Sequence, residues 1–316
     1  MKYKHLNSID KEVSCISAGT WAIGGQNFGD VNREESIQTI RTLIDNGVNL
    51  IDTAPVYGNG YAEQLVGEAL EGGYREKVMI STKCGLVGTV LKPFNRDASF
   101  ANIMRECLSS LRNLKTDYID FYFIHWPDVE TPISETMTAL NLLKKMGKIK
   151  YIGLSNFSKE QIEEAMKYGK VDVIQPLYCM VDQRNVETMK WAKEKGIDTF
   201  TYGSMGAGIL TGKYREKPDF PENDTRLRFY DYFKEPKFSL IQELLNILDG
   251  IALKYDASVG QIALNYSANK DYVGTLLVGA SKPKHAQENC KAFEFNLEKE
   301  DIILIDRKIE ELGLNK

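Results

Sequence analysis

Short apolar runs alternate with amphipathic segments from one end of the chain to the other. The apolar runs are a few residues long and rich in Val, Ile, Phe and Tyr, which is typical of parallel strands that are buried on both faces. This pattern predicts strands at residues 15–19, 49–52, 78–82, 118–124, 151–154, 171–175, 198–201 and 274–278.

The segments between these runs show the periodicity of amphipathic helices. Over residues 33–45 the apolar positions recur on one helical face, as in a helix that packs on a sheet. Pro132 stands in the first turn of a second predicted helix, which ends near Gly147. Ser158 and Gln161 have the spacing of a capping box, which marks the start of a third helix.

The succession of strand–helix units, without a change in composition, predicts the α/β class and a single (β/α)8 TIM barrel over residues 1–316. Three segments fall outside the ideal barrel. Residues 2–14 are expected to form a short N-terminal hairpin, and residues 298–312 an extra C-terminal helix. Residues 213–237 form a long polar segment that contains prolines, and we interpret it as a loop over the cofactor and substrate mouth.

Composition narrows the class of protein. Of the 316 residues, 43% are hydrophobic and 27% are charged, which excludes a disordered or collagen-like chain. The net charge of -4 argues against a nucleic acid or an anionic membrane as partner. No apolar segment has the length of a transmembrane helix, and the N-terminus shows no signal peptide. We therefore expect a cytoplasmic protein that acts on a small molecule, as a monomer or weak homo-oligomer.

Several common motifs are missing from the chain. The five cysteines are scattered without a CxxC pair, which favours buried, reduced thiols. The three histidines include no HExxH, so we expect no metal site. Neither the GxGxxG dinucleotide fingerprint nor a P-loop is present.

Three chemically capable residues directly follow apolar runs: Asp52, Lys83 and His125. Each alone has an ordinary structural interpretation, as a loop cap, an ion pair and a core histidine. Because the carboxyl ends of barrel strands converge at one mouth, together they favour an active site, with Tyr57 close by.

The chemistry of this set follows from the pKa of tyrosine. Free tyrosine titrates near ~10 and holds its proton at neutral pH. A lysine beside Tyr57 stabilises the phenolate and pulls the pKa down, which makes the phenol a usable general acid. Asp52 could hold Lys83, and His125 could hydrogen-bond a developing oxyanion. This is machinery for protonating an alkoxide as a carbonyl is reduced.

Other predicted strand ends offer groups that suit a dinucleotide. Ser155, Asn156 and Gln175 could fix a carboxamide, and Tyr202 could stack on an aromatic ring. The glycine-containing loop 203–208 could turn its N–H groups toward phosphates. A basic cluster then precedes a predicted helix start, which suits an anion, although a solvated helix terminus explains it as well. That cluster comprises Ser281, Lys282, Lys284 and His285.

Several long motifs, which together cover nearly the whole chain, resemble the aldo-keto reductase superfamily. They are NLIDTAPVYG at 49–58, LRNLKTDYIDFYFIHWPD at 111–128, GKIKYIGLSNF at 147–157, GILTGKY at 208–214 and GASKP at 279–283. The stretches GTWAIGG at 19–25 and YGS at 202–204 look most like bacterial reductases related to general stress protein 69 and the inositol-operon reductase.

The resemblance implies that Asp52, Tyr57, Lys83 and His125 form the catalytic tetrad, with Tyr57 as proton donor. It implies an NADP(H) cofactor, with NAD(H) possible, because His285 stands where many members have an arginine for the 2′-phosphate. Ala207 likewise replaces an arginine or glutamine. The implied substrate pocket is walled by Trp21, Tyr57 and Trp126. The implied cofactor residues are Thr20, Trp21, Ser155, Asn156, Gln175, Tyr202, Gly203, Ser204, Met205, Gly206, Gly208, Leu210, Lys213, Gly279, Ser281, Lys282, His285, Glu288 and Asn289.

The resulting hypothesis is an NADP(H)-dependent reductase of aldehydes and ketones, an alcohol:NAD(P)+ oxidoreductase. Two alternatives remain. One is a cofactor-binding regulatory subunit of the kind found with potassium channels. The other is an aldolase or isomerase that uses Lys83 as a Schiff base.

Overall fold

The strands of the computed structural model, which describes residues 1–25, 31–89, 92–221 and 224–315, end close to where the hydrophobic pattern places them. They are β1 (Tyr3–Leu6), β2 (Lys11–Ser14), β3 (Ile16–Gly19), β4 (Leu50–Asp52), β5 (Met79–Cys84), β6 (Leu86–Thr89), β7 (Lys92–Arg96), β8 (Ile119–Ile124), β9 (Ile149–Ser155), β10 (Val173–Gln175), β11 (Asp198–Thr201) and β12 (Thr275–Gly279).

Amphipathic helices connect the strands. They are α1 (Arg33–Asp45), α2 (Tyr61–Ala69), α3 (Phe100–Asn113), α4 (Ile133–Lys145), α5 (Lys159–Met166), α6 (Val186–Glu194), α7 (Thr225–Phe229), α8 (Lys237–Lys254), α9 (Val259–Ala268), α10 (Pro283–Cys290) and α11 (Lys299–Glu311). The capping box predicted at Ser158 and Gln161 is present at the start of α5. In the described part of the chain, no helix is long and apolar enough to cross a bilayer.

Eight parallel strands close into a barrel in the order β10-β11-β12-β3-β4-β5-β8-β9. The predicted (β/α)8 barrel is therefore confirmed, with each of its eight strands. Two predicted strands have ends that differ from the observed ones in an informative way. The strand predicted at 78–82 continues to Cys84, and the one predicted at 151–154 runs from Ile149 to Ser155. Lys83 interrupts the apolar run in the sequence, but its charge is paired inside the barrel.

The N-terminal end of the barrel is closed by the predicted hairpin, formed by β1 and β2. Leu6, Ile9 and Val13 of this hairpin pack against Phe121 and Phe200 of the barrel interior. Burial of such side chains is worth roughly 1.5–3 kcal/mol each. The opposite, C-terminal end carries the polar strand ends, so this end is the place to look for a site.

Two elements were not predicted. The strands β6 and β7 form an antiparallel hairpin directly after β5. Gly and Pro are both disfavoured in strands, so Gly88 and Pro93 weaken the strand pattern of this segment of the sequence. The short helix α7 lies inside the segment interpreted as the 213–237 loop. Residues 222 and 223 of that segment lie outside the described residues.

All five cysteines are buried thiols, as predicted. Cys84 follows Lys83 in β5, Cys107 lies in α3 and Cys290 ends α10. Burial raises the pKa of the Cys107 and Cys179 thiols to about 12, so both stay protonated at neutral pH.

Candidate active site

The side chains of Asp52, Tyr57 and Lys83 meet at the C-terminal mouth of the barrel. The Lys83 ammonium donates hydrogen bonds to Oδ2 of Asp52 at 2.6 Å, to the carbonyl of Thr53 at 2.9 Å and to the hydroxyl of Tyr57 at 3.3 Å. An ammonium has three N–H donors, so these contacts use all of them. Lys83 is 1% exposed, which makes this a buried, fully bonded cation.

The electrostatics of this group differ in one respect from the sequence expectation. Burial raises the pKa of Tyr57, the Lys83 ammonium lowers it, and burial prevails, so the phenol titrates above its ordinary value. The lowering effect predicted for Lys83 is present, but burial of the phenol, which the sequence analysis did not include, outweighs it. Burial also lowers the pKa of Lys83, but Asp52 and Tyr57 more than compensate and raise it, so Lys83 keeps its charge.

The second oxygen of Asp52 has its own donors. Ser81 donates its hydroxyl to Oδ1 at 2.7 Å, and Gln175 donates Nε2 to the same atom at 3.0 Å. The sequence analysis missed Ser81. A signal was available, because Ser81 lies two residues before Lys83 in one strand and therefore faces the same side. Gln175 was expected only at the cofactor.

His125 follows β8 and lies next to Tyr57. The two rings meet edge to face, with centroids 6.0 Å apart and an interplanar angle of 82°. Burial, and secondly the Lys83 charge, lowers the pKa of His125 well below its usual range. The imidazole is therefore neutral at physiological pH and has one N–H to donate and one nitrogen to accept.

A linked set of polar side chains lies on the neighbouring strand ends. Tyr202 donates its hydroxyl to Oδ1 of Asn156 at 2.7 Å. The Asn156 amide donates to the carbonyl of His125 at 3.0 Å and to the hydroxyl of Ser155 at 3.1 Å. Ser155 in turn donates to the carbonyl of Gln175 at 3.0 Å. Four residues predicted for the nicotinamide are thus brought together and joined to the backbone of His125.

Residues 203–213 form an irregular loop after β11. Ser204 is buried, and its hydroxyl lies 3.3 Å from the carbonyls of Thr201 and Leu277, which fixes the start of the loop. Residues 206–211 form a short 3-10 segment in which Gly206 and Leu210 are buried. Met205 and Gly208 are half-buried, and Lys213 is exposed with its ammonium 5.4 Å from the ring of Tyr214. Gly203 adopts a positive φ of 75°.

The predicted basic cluster lies after β12, at the exposed N-terminus of α10. Ser281 and His285 are hydrogen-bonded at 3.3 Å, and Lys284 faces Glu288 at 3.8 Å. Asn289 donates to the carbonyl of Gly279 at 3.5 Å. Lys282 is exposed and, among the described residues, has no carboxylate within ion-pair distance. Cationic side chains and free helix N–H groups suit a phosphate.

Aromatic side chains border the cluster of Asp52, Tyr57 and Lys83. The ring of Trp21 stacks on Tyr57 with centroids 6.2 Å apart, and Phe229 of α7 meets Trp21 edge to face at 6.5 Å. The guanidinium of Arg96 lies 5.5 Å from the ring of Trp126. The sequence analysis missed Phe229 and Arg96, which belong to the two elements it did not predict.

The segment before α1 is held against Tyr57 by close backbone contact. A Cβ on Gly24 would lie 2.9 Å from the carbonyl carbon of Tyr57, so only glycine allows this approach. Thr20 donates its hydroxyl to the carbonyl of Asp52 at 2.9 Å. These two contacts place Trp21 beside Tyr57.

The residues present fit a nicotinamide dinucleotide. Gln175 bonds within the described residues only through Nε2, which leaves its Oε1 able to accept from a carboxamide. The Tyr202 ring stands beside it, tethered by its hydroxyl. The exposed cations of α10 lie at the end of another barrel strand, as an extended ligand with phosphates requires.

Comparison with known proteins agrees with the resemblance seen in the sequence. The profile of the aldo/keto reductase family matches residues 15–310. The chain is 38% identical over 305 residues to the aldo-keto reductase YhdN of Bacillus subtilis, covering 95% of this chain and 91% of that protein. It is 33% identical over 327 residues to the NADH-specific methylglyoxal reductase of Escherichia coli, covering 99% of each. The solved glycerol dehydrogenase of Gluconobacter oxydans superimposes with a TM-score of 0.89 at 33% identity, covering 99% of this chain and 97% of that chain.

Proposed function

Because the chain belongs to the aldo/keto reductase family, we propose that it is an NADP(H)-dependent oxidoreductase that reduces aldehydes and ketones to alcohols. The observation that carries this proposal is the placement of the Lys83 ammonium between Asp52 and Tyr57. A buried cation in contact with a phenol is the arrangement that proton donation to a carbonyl oxygen requires.

The roles of the residues follow from their positions. A reduced nicotinamide held by Ser155, Asn156 and Gln175 would supply the hydride for the carbonyl carbon. Tyr57 gives its phenolic proton to the carbonyl oxygen, which balances the reaction to an alcohol. The phenolate that remains is stabilised by the Lys83 N–H. The neutral imidazole of His125 donates a hydrogen bond to the same oxygen and so orients it.

The protonation state of Tyr57 fits this role. A phenol keeps its proton at neutral pH, and burial of Tyr57 favours the protonated form further, so the donor carries its proton. The adjacent ammonium then stabilises the charge only as the proton leaves. Stabilisation that grows during the reaction lowers the barrier, whereas equal stabilisation of both states does not.

The cofactor would lie across the mouth of the barrel. Ser155, Asn156 and Gln175 would hold the nicotinamide carboxamide, and Tyr202 would lie under the ring. The Lys282 ammonium and the hydrogen-bonding imidazole of His285 at α10 favour NADPH, since a 2′-phosphate adds negative charge there. Use of NADH remains a measurable alternative, because the methylglyoxal reductase of Escherichia coli is named as NADH-specific.

The substrate would enter over Trp21, Tyr57 and Trp126. The segment 213–237 would cover this mouth, which is supported by the contact of Phe229 with Trp21. A Schiff base at Lys83 is disfavoured, because that chemistry needs a neutral amine and Lys83 is charged and fully bonded.

The test combines binding with turnover. The purified chain is titrated with NADPH and NADH by tryptophan fluorescence and then assayed with methylglyoxal and a panel of aldehydes and ketones. Tyr57→Phe is expected to bind NADPH normally and to lose reduction by roughly 10²–10⁴-fold. Tyr168→Phe, at an exposed position just after α5, is the matched control.

Each contrary result has a clear meaning. Wild-type rates in Tyr57→Phe would remove the assigned proton donor. Cofactor binding without turnover of any carbonyl would favour the regulatory-subunit alternative. Trapping of a carbonyl on Lys83 by borohydride would favour the aldolase.

A further inference from the structure

The two oxygens of the Asp52 carboxylate accept hydrogen bonds from different side chains. Oδ2 accepts from Lys83 at 2.6 Å, whereas Oδ1 accepts from Ser81 at 2.7 Å and from Gln175 at 3.0 Å. All four side chains are almost completely shielded from solvent, with Ser81 at 0% and Gln175 at 2% exposure. No competing water is expected at such positions, so these donors decide where the carboxylate points.

The donors of Oδ1 come from opposite sides of the barrel. Ser81 is on β5, the neighbour of β4. Gln175 ends β10, which lies four strands from β4 in either direction around the closed barrel. Its side chain therefore spans the floor of the mouth, and the carboxylate is held from two sides.

A carboxylate held by one oxygen only can rotate. If the donors of Oδ1 are removed, a buried charge loses hydrogen bonds that are each worth more than a neutral one. The carboxylate then turns to recover bonds, and Lys83, which is tied to Oδ2, moves with it. The longest contact of Lys83, at 3.3 Å to Tyr57, is the one that such a movement breaks first.

We propose that Ser81 and Gln175 are positioning residues for proton transfer: they fix Asp52 through Oδ1, and thereby hold Lys83 on Tyr57. This inference rests on the proposed reductase function for its kinetic consequences, but not for its structural one. It gives Gln175 a second role, distinct from that of a carboxamide ligand, and it gives Ser81 a role that no resemblance implied.

The test uses Ser81→Ala and Gln175→Met, each of which removes the donor and keeps the approximate size. Ser17→Ala is the matched control, because Ser17 is a buried barrel serine that bonds Thr275 at 2.7 Å and not Asp52. Steady-state rates are measured between about pH 7 and 11, so that the window extends above the ordinary tyrosine pKa of about 10. Affinities for NADPH and for 2′-phospho-ADP-ribose, which lacks the nicotinamide, are measured by fluorescence.

Ser81→Ala is expected to lower kcat roughly tenfold, with KM and both affinities unchanged within about twofold. Lys83 lowers the pKa of Tyr57, so loss of the contact between them should move the alkaline limb of the pH profile to higher pH. Gln175→Met should show the same kinetic changes and, in addition, weaker NADPH binding without weaker 2′-phospho-ADP-ribose binding. The double variant should lose less kcat than the two single losses multiplied together, since both donors bind the same oxygen.

Crystal structures of the two variants give a readout that does not depend on turnover. The distance from the Lys83 ammonium to the Tyr57 hydroxyl should lengthen beyond hydrogen-bond reach, about 3.5 Å. An unchanged distance in both variants would overturn the proposal, whether or not the protein reduces carbonyls. Kinetics of Ser81→Ala identical to those of Ser17→Ala would overturn it too.

Three further outcomes have a defined meaning. If Gln175→Met weakens NADPH binding but leaves the pH profile unchanged, Gln175 is a cofactor ligand only, and its positioning role is wrong. If Ser81→Ala does not fold, Ser81→Cys keeps a weak donor of similar size and should give an intermediate shift. An inactive wild type would refute the reductase function, and the crystallographic distances would still decide this inference.

Discussion

The hydroxyl of Tyr202 donates a hydrogen bond of 2.7 Å to Oδ1 of Asn156, whose amide bonds the carbonyl of His125. One tyrosine therefore connects the stacking surface proposed for the nicotinamide to the backbone of His125, a residue proposed for catalysis. Asn156 has a positive φ of 64°, a conformation that is uncommon outside glycine, and these bonds help to hold it.

Tyr202→Phe should weaken NADPH binding while leaving the ring in place. The loss of one buried hydrogen bond, about 1 kcal/mol, corresponds to roughly a fivefold higher Kd. Fluorescence titration measures this change, with Tyr168→Phe as control. An unchanged Kd would mean that the hydroxyl does not organise the cofactor bed.

Lys282→Ala should weaken NADPH binding more than NADH binding. The ammonium is exposed at the N-terminus of α10, so its contribution to a phosphate contact is modest, roughly threefold to tenfold in Kd. Lys195→Ala, at an exposed position after α6, is the control for general charge. Equal losses for both cofactors would contradict the assignment of the 2′-phosphate to this cluster.

Glu106 should make folding stability depend on pH. Burial raises the pKa of this carboxyl from 4.5 to about 7, although it accepts from the N–H of Gly85 at 2.7 Å. A raised carboxyl pKa means that the folded state holds its proton more tightly. Glu106 therefore stabilises the folded state fully below about pH 4.5, the pKa in the unfolded chain. This stabilisation is lost as the pH rises through about 7.

The measurement is the free energy of unfolding in urea between pH 4.5 and 8. Across this interval the free energy of unfolding of the wild type should fall by up to about 3 kcal/mol more than that of Glu106→Gln. Glu216→Gln, at an exposed loop position, is the control and should follow the wild type. Parallel curves for the wild type and Glu106→Gln would show that Glu106 does not carry this dependence.

Gly24→Ala should damage the site. The new methyl group would lie 2.9 Å from the carbonyl carbon of Tyr57 and 3.0 Å from the N atom of Gly58, so the segment that carries Trp21 must move. We expect a loss of kcat and a lower thermal midpoint. Gly250→Ala in α8 meets no atom within 4 Å and should instead stabilise the protein by about 0.5–1 kcal/mol. Normal kinetics in Gly24→Ala would show that this contact does not position Tyr57.

The local pattern of the chain was sufficient to bring the four residues proposed for catalysis to one end of the barrel. Asp52, Lys83 and His125 each interrupt or follow an apolar run, and parallel strands of a barrel bring such positions to one end. Tyr57 lies in the turn that follows β4, so it comes to the same end. The four residues thus follow from strand order and from the resemblance, without knowledge of any contact.

The contacts across the barrel could not be predicted in this way. Gln175 and Asp52 are separated by 123 positions and lie on opposite strands. Whether one side chain reaches the other depends on the tilt and closure of the barrel, which no local pattern records. Phe229 and Arg96 reach the mouth from elements of about five residues each, which are too short to show a clear periodicity.

The sequence by itself determined the order of strands and helices and the chemical groups at the mouth, because these depend on periodicity and on residue type. Only the tertiary structure decided the net direction of the pKa of Tyr57. Burial raises it and Lys83 lowers it, and the balance depends on how much solvent the fold removes and on a distance of 3.3 Å. Both quantities are set by packing between distant segments, so neither can be read from the chain alone.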